Sequence, residues 1–163
     1  MEFTFESNSG STKTNLGDIM PLLNNAYSSL DNRFKPIVLE ILRELEKLGY
    51  QPIVAEGRRT QAQQDEKVRL GYSKTRRSVH LTGLAADIVD KRFMWNIRNV
   101  HQFWYDLFQI AKKQVIKNGH LRYGMIWDHP EREAIYKKAL DEKKPNLVTW
   151  FCDVAHIELH LAD

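Results

Sequence analysis

The sequence predicts an α+β fold in which helices pack against a small, mainly antiparallel sheet. Amphipathic helix patterns come early, and short apolar segments typical of strands are scattered along the chain. The final segment, HIELHL, alternates polar and apolar side chains, as a strand with one buried face does. Together these features favour a layered α+β domain.

The N-terminal region is predicted to be an arm followed by a short helix. Residues 6–15 are polar and predict a loop, and residues 1–17 together form the expected polar arm. Asp18 is a candidate cap for a short helix with Pro21 in its first turn.

A strong amphipathic helix is predicted to begin at Asp31 or Asn32 and to end at Gly49. Its apolar residues recur at steps of three and four, and glycine is common just beyond a helix. The periodic residues are Phe34, Ile37, Val38, Ile41, Leu42, Leu45 and Leu48. This pattern predicts a helix that faces the core.

The remaining chain is predicted to hold short strands, helices and one polar loop. Residues 52–55 predict a buried strand, and Thr60 with Gln63 forms a capping-box pattern for a helix that ends at Gly71. The later predicted elements are a basic loop over 72–83, a strand over 84–89, a helix marked by Trp104, Leu107, Phe108, Ala111 and Val115 and closed by Gly119, a strand over 121–127, a helix over 131–140 and the strand HIELHL.

Length and composition indicate one globular domain spanning residues 1–163, with 42% hydrophobic and 28% charged residues. The sequence holds no apolar run long enough to span a membrane. The first twenty residues lack the basic start and apolar run of a signal peptide, which predicts synthesis in the cytoplasm. Cys152 is the only cysteine, so an intrachain disulfide and a cysteine-based zinc site are excluded.

The chain is mildly basic, with a net charge of +3, which suits an anionic partner without identifying one. A denser basic cluster is interpreted as a solvated loop; it comprises Arg69, Lys74, Arg76 and Arg77. No base-stacking or groove-reading motif accompanies these cations, so a nucleic-acid module is not expected.

Two histidine-rich segments hold the candidate metal ligands. In the first, His80 lies on a loop and Asp87 on the strand that follows, and Gly83 allows the backbone to turn between them. In the second, His156, Glu158 and His160 share one strand face, while the alternating apolar residues pack into the core.

A catalytic zinc site needs three ligands of the His or carboxylate type and one open position. His80, Asp87 and His156 meet that count, and a further carboxylate could act as the base. The His-x6-Asp spacing alone is weak evidence, because a loop His and a strand Asp can equally bond to backbone groups.

The segment SVHLTGLAAD resembles the Ser-x-His-x-x-Gly-x-Ala-x-Asp signature of the peptidase M15 family at all its fixed positions. That family includes D-alanyl-D-alanine carboxypeptidases and dipeptidases and the L-alanyl-D-glutamate endopeptidases of phage endolysins. Other family features occur in the same order: GRRT with Gln63 and Gln64 after a strand, LRYGMIW, and Asp153 three residues before His156. The resemblance spans roughly residues 34 to 161.

The resemblance implies the small zinc-peptidase fold shared with the hedgehog signalling domain. It implies Zn²⁺ held by His80, Asp87 and His156, with Asp153 as the general base and acid. Arg59 would bind a substrate carboxylate or polarise the scissile carbonyl. Gln63 and Ser78 are the further candidate substrate-binding residues.

The implied substrate is a peptidoglycan stem peptide, and the compact chain is most similar to a phage or prophage endolysin. We expect a monomer that acts on the L-alanyl-D-glutamate bond after holin-type release to the cell wall, without membrane insertion. A D-alanyl-D-alanine dipeptidase or carboxypeptidase, or a non-catalytic zinc-stabilised binding domain, remains an alternative.

Several residue assignments stay open on sequence grounds. Glu158 competes with Asp153 as the base, since it shares a strand face with His156, and Arg58 competes with Arg59. His160 is expected to support the site or lie on the surface. Two departures from the family pattern concern the rim: Gly124 is single and Trp127 precedes Asp128, and Ala155 stands where many members have proline. Cys152 could suggest a thiol peptidase, although a buried, inert thiol is the expected reading.

Overall fold

The computed structural model describes residues 4–6, 13–15, 23–93 and 100–162, with only the backbone for the first two segments. The predicted helix around Asp18 and Pro21 lies outside these residues. The helices and strands in chain order are β1 (Thr4–Glu6), β2 (Lys13–Asn15), α1 (Asn25–Ser28), α2 (Lys35–Lys47), β3 (Pro52–Glu56), α3 (Gln61–Arg69), β4 (Ala85–Asp90), α4 (Gln102–Lys112), β5 (Gly119–Tyr123), α5 (Glu131–Asp141) and β6 (His156–Leu161). Two 3-10 turns cover Val79–Thr82 and Pro145–Leu147.

The main sheet has four strands in the order β3-β4-β6-β5, and every neighbouring pair is antiparallel. All six residues of the central strand β4 are buried, because the sheet is covered on both sides of that strand. A core of buried apolar side chains from α2, α4 and the sheet holds these layers together. The predicted α+β class with a small antiparallel sheet is confirmed.

Helix α2 begins at Lys35, three to four residues later than predicted. Pro36 lies in its first turn, where the missing proline N–H costs no helical hydrogen bond. The backbone before it forms a turn, in which Phe34 N donates to the carbonyl of Asp31 over 2.9 Å. The helix ends as expected before Gly49, whose φ of 91° is easily reached only by glycine.

Two other predicted boundaries are wrong. Helix α4 ends at Lys112, so Val115 lies beyond it and is 96% exposed, while Gly119 begins β5 instead of closing a helix. Strand β5 ends at Tyr123, because Trp127 N donates to the Tyr123 carbonyl over 2.9 Å and folds residues 124–127 into turns.

The N-terminal segment predicted as a loop contains paired backbone. Strands β1 and β2 are antiparallel, with Phe5 opposite Thr14. Backbone N–H and C=O groups can pair in this way whatever the polarity of the side chains, which is why composition alone did not indicate it. Among the described residues, no helix is long and apolar enough to cross a membrane.

Candidate metal centre and active site

Three neighbouring strands bring distant polar residues to one place on the sheet. In the strand register, Asp87 of β4 lies opposite His156 of β6 and, on its other side, opposite Glu56 of β3. His80 reaches the same place from the 3-10 turn that precedes β4. Asp87 and both histidines are buried, with His80 only 1% exposed.

The imidazole of His80 is oriented by a backbone carbonyl, and the turn that carries it is capped by a side chain. Its Nδ1 lies 2.7 Å from the Gly57 carbonyl oxygen, an acceptor that requires Nδ1 to carry the proton. The Ser78 hydroxyl accepts from the His80 backbone N–H over 3.1 Å and caps the turn. Nε2 then has a free lone pair 3.3 Å from Asp87 Oδ2. This buried atom has no hydrogen-bond partner among the described residues.

His156 is oriented by carboxylates instead. Its Nε2 donates to Glu158 Oε1 over 2.8 Å, which leaves Nδ1 to face Asp87 Oδ1 at 3.1 Å. A carboxylate behind a ligand histidine fixes its tautomer and raises its basicity, which is a common arrangement in zinc sites. The second oxygen of Glu158 contacts His160, so Glu158 is held from both sides.

This arrangement fits a zinc ion. One ligand atom each from His80, Asp87 and His156 lies within 4.8 Å of the others. Both imidazoles donate their outer N–H groups to fixed acceptors, so their inner nitrogens point at the carboxylate. The orphaned Nε2 of His80 gains a partner when a cation sits between these atoms. Two imidazoles and one carboxylate form a donor set that zinc commonly takes in catalytic sites.

The candidate metal ligands shift one another's pKa values. Burial opposes charge on Asp87 and on His156, but their polar neighbours outweigh it. The charge interaction with His80, followed by the hydrogen bond from His156, holds the pKa of Asp87 well below its usual range. The hydrogen bonds that His156 donates to Asp87 and Glu158 raise the pKa of its imidazole to about 10. Because a metal ligand must be deprotonated, a cation here competes with the proton on His156.

Asp153 lies beside this group without joining it. Its Oδ2 is 4.0 Å from His156 Nδ1, and its side chain is 26% exposed. Burial and the negative charge of Asp87 raise the pKa of Asp153 to about 6. A carboxyl group that titrates near neutral pH can both accept and return a proton, as a general base and acid must.

Gly124 sets where Asp153 sits. Asp153 N donates to the Gly124 carbonyl over 3.1 Å, and Gly124 N donates to the His156 carbonyl over 2.9 Å. A Cβ on residue 124 would overlap the backbone carbonyl of Asp153. The single glycine noted in the sequence therefore permits a close approach of two loops at the proposed base.

Arg59, not Arg58, faces the centre. The Arg59 guanidinium contacts Glu56 through Nε, and its Nη2 lies 3.5 Å from Asp87 Oδ2. Arg58 turns the other way, since its Nε donates to the Ser29 carbonyl over 3.1 Å. The structure thus places Arg59, and not Arg58, beside the candidate metal ligands; its binding of substrate stays a prediction.

Comparisons with known proteins concern the sequence and the fold of the chain as a whole. The sequence pattern of the phage L-alanyl-D-glutamate peptidase family matches residues 20–160. The chain belongs to this family. The fold is similar to the crystal structure of the Serratia marcescens L-Ala D-Glu endopeptidase ChiX, with a TM-score of 0.56 and 21% identity over 89% of this chain and 95% of that one. A search of curated proteins found no match.

Within this member of the phage L-alanyl-D-glutamate peptidase family, the two remaining predicted substrate residues have local roles. Gln63 accepts from Thr60 N over 2.9 Å and completes the predicted capping box, while Ser78 caps the turn that carries His80. Neither contact tests substrate binding, which stays a prediction. Gln64, to which the sequence alone gave no role, is fully buried and accepts from Arg59 Nη1 over 2.8 Å. Its place beside Gln63 in the family-like segment was the signal that could have found it.

The rim that departs from the family pattern is strained. Trp127 and Asp128 have φ values of 43° and 66°, a conformation that costs energy for non-glycine residues. The Trp127 ring lies 5.2 Å from that of His156, and Arg122 covers it while pairing with Asp128 over 2.7 Å. An aromatic wall thus stands beside the His156 ligand.

Cys152 does not form a nucleophilic site. Burial, followed by the charge of Asp153, raises the pKa of its thiol to about 12, so the thiolate is scarce at neutral pH. Its Sγ lies 3.6 Å from the Met125 carbonyl oxygen. The environment matches the predicted inert thiol.

Proposed function

We propose that this chain is a zinc-dependent peptidoglycan peptidase that hydrolyses the L-alanyl-D-glutamate bond of the stem peptide. One observation carries the proposal. His80, Asp87 and His156 form a possible metal site, and the carboxyl group of Asp153 lies beside it without being one of the ligands. A site that only stabilises a fold has no use for a nearby base.

The residues divide the reaction between them. His80, Asp87 and His156 would hold a zinc ion, which would supply Lewis acidity and make a bound water more acidic. Asp153, with its pKa near 6, takes a proton from the attacking water and returns it to the leaving amine. Glu158 is engaged with His156 and His160, so it supports the ligand and does not act as the base.

Arg59 explains why an acidic stem peptide is a suitable substrate. D-Glutamate in the stem carries a free carboxylate next to the bond to be cut, and a guanidinium can grip a carboxylate with two parallel hydrogen bonds. Arg59 lies at the metal group, with Nη2 directed toward Asp87. This placement supports a peptidase over a non-catalytic zinc-stabilised binding domain. We further propose that the protein acts as a monomer at the cell wall after holin-type release.

Mass spectrometry of digested peptidoglycan tests this proposal. Purified sacculi are incubated with the wild-type protein, with Asp153→Asn, and with wild type plus a chelator. We expect fragments that begin with D-glutamate only for the untreated wild type, and recovery of cleavage when zinc is added back. Release of D-alanine instead would identify the D-alanyl-D-alanine alternative, and cleavage unaffected by the chelator would refute zinc dependence.

A further inference from the structure

Gln64 is the most deeply buried polar side chain next to Arg59. It lies on α3, is 0% exposed, and satisfies its amide entirely through protein contacts. Its Oε1 accepts from Arg59 Nη1 over 2.8 Å. Its Nε2 donates to Ser73 Oγ over 2.9 Å and to the Thr75 carbonyl over 2.6 Å. An amide buried with all its partners in place is costly to disturb.

The orientation of this amide is determined by its surroundings. The Thr75 carbonyl can only accept, so the NH₂ end of Gln64 must face it. The amide oxygen therefore has to face Arg59, where only a donor is present. Loop residues 73–75 thus set the direction from which Gln64 holds the arginine.

The guanidinium of Arg59 is held on two edges as a result. Glu56 accepts from Nε and Gln64 accepts from Nη1, which fixes both the position and the plane of the group. The remaining nitrogen, Nη2, is the one that lies 3.5 Å from Asp87 Oδ2 at the metal group. A guanidinium recognises a carboxylate through its plane, so the plane must be held before substrate arrives.

We propose that Gln64 is a positioning residue that sets the plane of the Arg59 guanidinium for substrate and couples it to the loop at Ser73–Thr75. This inference rests on the proposed function, because it takes Arg59 as the group that binds the stem peptide. Gln64 acts through Arg59 and does not itself touch substrate. A role limited to anchoring the loop is the competing explanation.

Three variants separate the two explanations. Gln64→Met keeps the length but loses all three hydrogen bonds of the amide. Gln64→Glu keeps an acceptor for Arg59 and loses the donor to the loop. Ser73→Ala removes one loop contact and leaves Arg59 untouched. Each is assayed on a defined muropeptide containing the L-alanyl-D-glutamate bond, with zinc content and thermal unfolding measured in parallel.

If Gln64 positions Arg59, Gln64→Met lowers kcat/KM by about 10- to 100-fold with zinc content unchanged. The loss falls in the same parameter, kcat or KM, that Arg59→Lys changes. Gln64→Glu and Ser73→Ala stay within about threefold and twofold of wild type respectively. In an Arg59→Ala background, Gln64→Met costs no more than about a further twofold, because the group it positions is gone.

The opposite pattern overturns the inference. If Gln64→Glu is as damaging as Gln64→Met, or if the effects of Gln64→Met and Arg59→Ala are fully additive, Gln64 only anchors the loop. If Gln64→Met fails to fold, the activity of Gln64→Glu decides between the two explanations. If the wild-type protein cuts the muropeptide and the kcat/KM of Gln64→Met is within about twofold of it, only this inference is refuted. If the wild-type protein leaves the bond intact, the proposed function is refuted and this inference with it.

Discussion

His156 Nδ1 lies 3.1 Å from Asp87 Oδ1, although the two residues are 69 positions apart. They are direct cross-strand partners in the β4–β6 pairing. Because side chains alternate between the faces of a strand, a slip of one residue would send His156 to the opposite face. The candidate metal centre therefore depends on the register of this strand pair.

Zinc content should depend on both histidines. We expect about one zinc ion per wild-type chain and a large loss in His80→Ala and in His156→Ala, because each removes one of three protein ligands. Inductively coupled plasma mass spectrometry measures the metal. His129→Ala, at an exposed histidine away from the centre, is the matched control. Full zinc retention in both ligand variants would show that the donor set is wrong.

Asp153→Asn should separate catalysis from metal binding. The amide keeps the shape but cannot accept a proton, so cleavage should fall by about 10²- to 10⁴-fold with zinc retained. Glu158→Gln weakens the support of His156 Nε2 and should lower zinc affinity by about 10- to 100-fold. Its activity should then return at saturating zinc. A Glu158→Gln enzyme that stays inactive when zinc-loaded, beside an active Asp153→Asn, would make Glu158 the base.

The stability of the metal-free protein should change with pH through Asp153. Its pKa rises from 3.8 to about 6 on folding, so the folded state binds the extra proton between these values. Stability contributed by that proton is present at low pH and is lost as pH rises through about 6. Metal-free Asp153→Asn should therefore be more stable than wild type at pH 7.5, by up to ~3 kcal/mol, with the difference vanishing near pH 4. Urea unfolding at the two pH values measures this; an equal difference at both would contradict it.

Arg59→Lys should be damaging even though it keeps the positive charge. Lysine cannot reproduce the planar fork that two neighbours hold in place, so kcat/KM should drop by about tenfold or more. Arg58→Lys is the control, since Arg58 bonds to the Ser29 carbonyl away from the centre. Steady-state kinetics on a defined muropeptide compare the two. Normal kinetics in Arg59→Lys together with impaired Arg58→Lys would reverse the assignment.

Gly124→Ala should impair cleavage without removing the metal. The new Cβ overlaps the backbone carbonyl of Asp153, so the base must move, and a shift of about 1 Å can cost on the order of 100-fold. Gly49→Ala controls for a general loss of stability, because it strains a positive φ at the end of α2 in open space. Zinc content, unfolding and activity are measured for both. Equal activity in the two variants would argue against a positioning role for Gly124.

The fold was predictable where local patterns decide it. The three- and four-residue periodicity of α2 and the capping box of α3 depend on neighbouring residues, and both are observed. The segment HIELHL does form β6, but its predicted single buried face is wrong: His156 and Glu158 are buried as well as the apolar residues, because both lie in the candidate metal centre. The ends of α4 and β5 were misplaced for two reasons. Val115 fits the apolar periodicity of α4 but is exposed, and the apolar run after Tyr123 does not reveal the local turn that Trp127 N closes on the Tyr123 carbonyl. Glycine at position 119 carries no local mark that separates a helix end from a strand start.

The sequence by itself determined the residue types available to the site: two histidines and an aspartate of metal-binding chemistry, a nearby acid, and an arginine in a family-like order. Only the tertiary structure decided how they are used. Strand register and loop packing decide that Arg59, and not Arg58, faces the centre. They also decide that Glu158 bonds to the ligand His156, while Asp153 lies beside it at 4.0 Å. The role of Gln64 was decided in the same way: its buried amide bonds to Arg59 before the helix and to Thr75 in the loop after it, and these two partners meet only when the chain has folded.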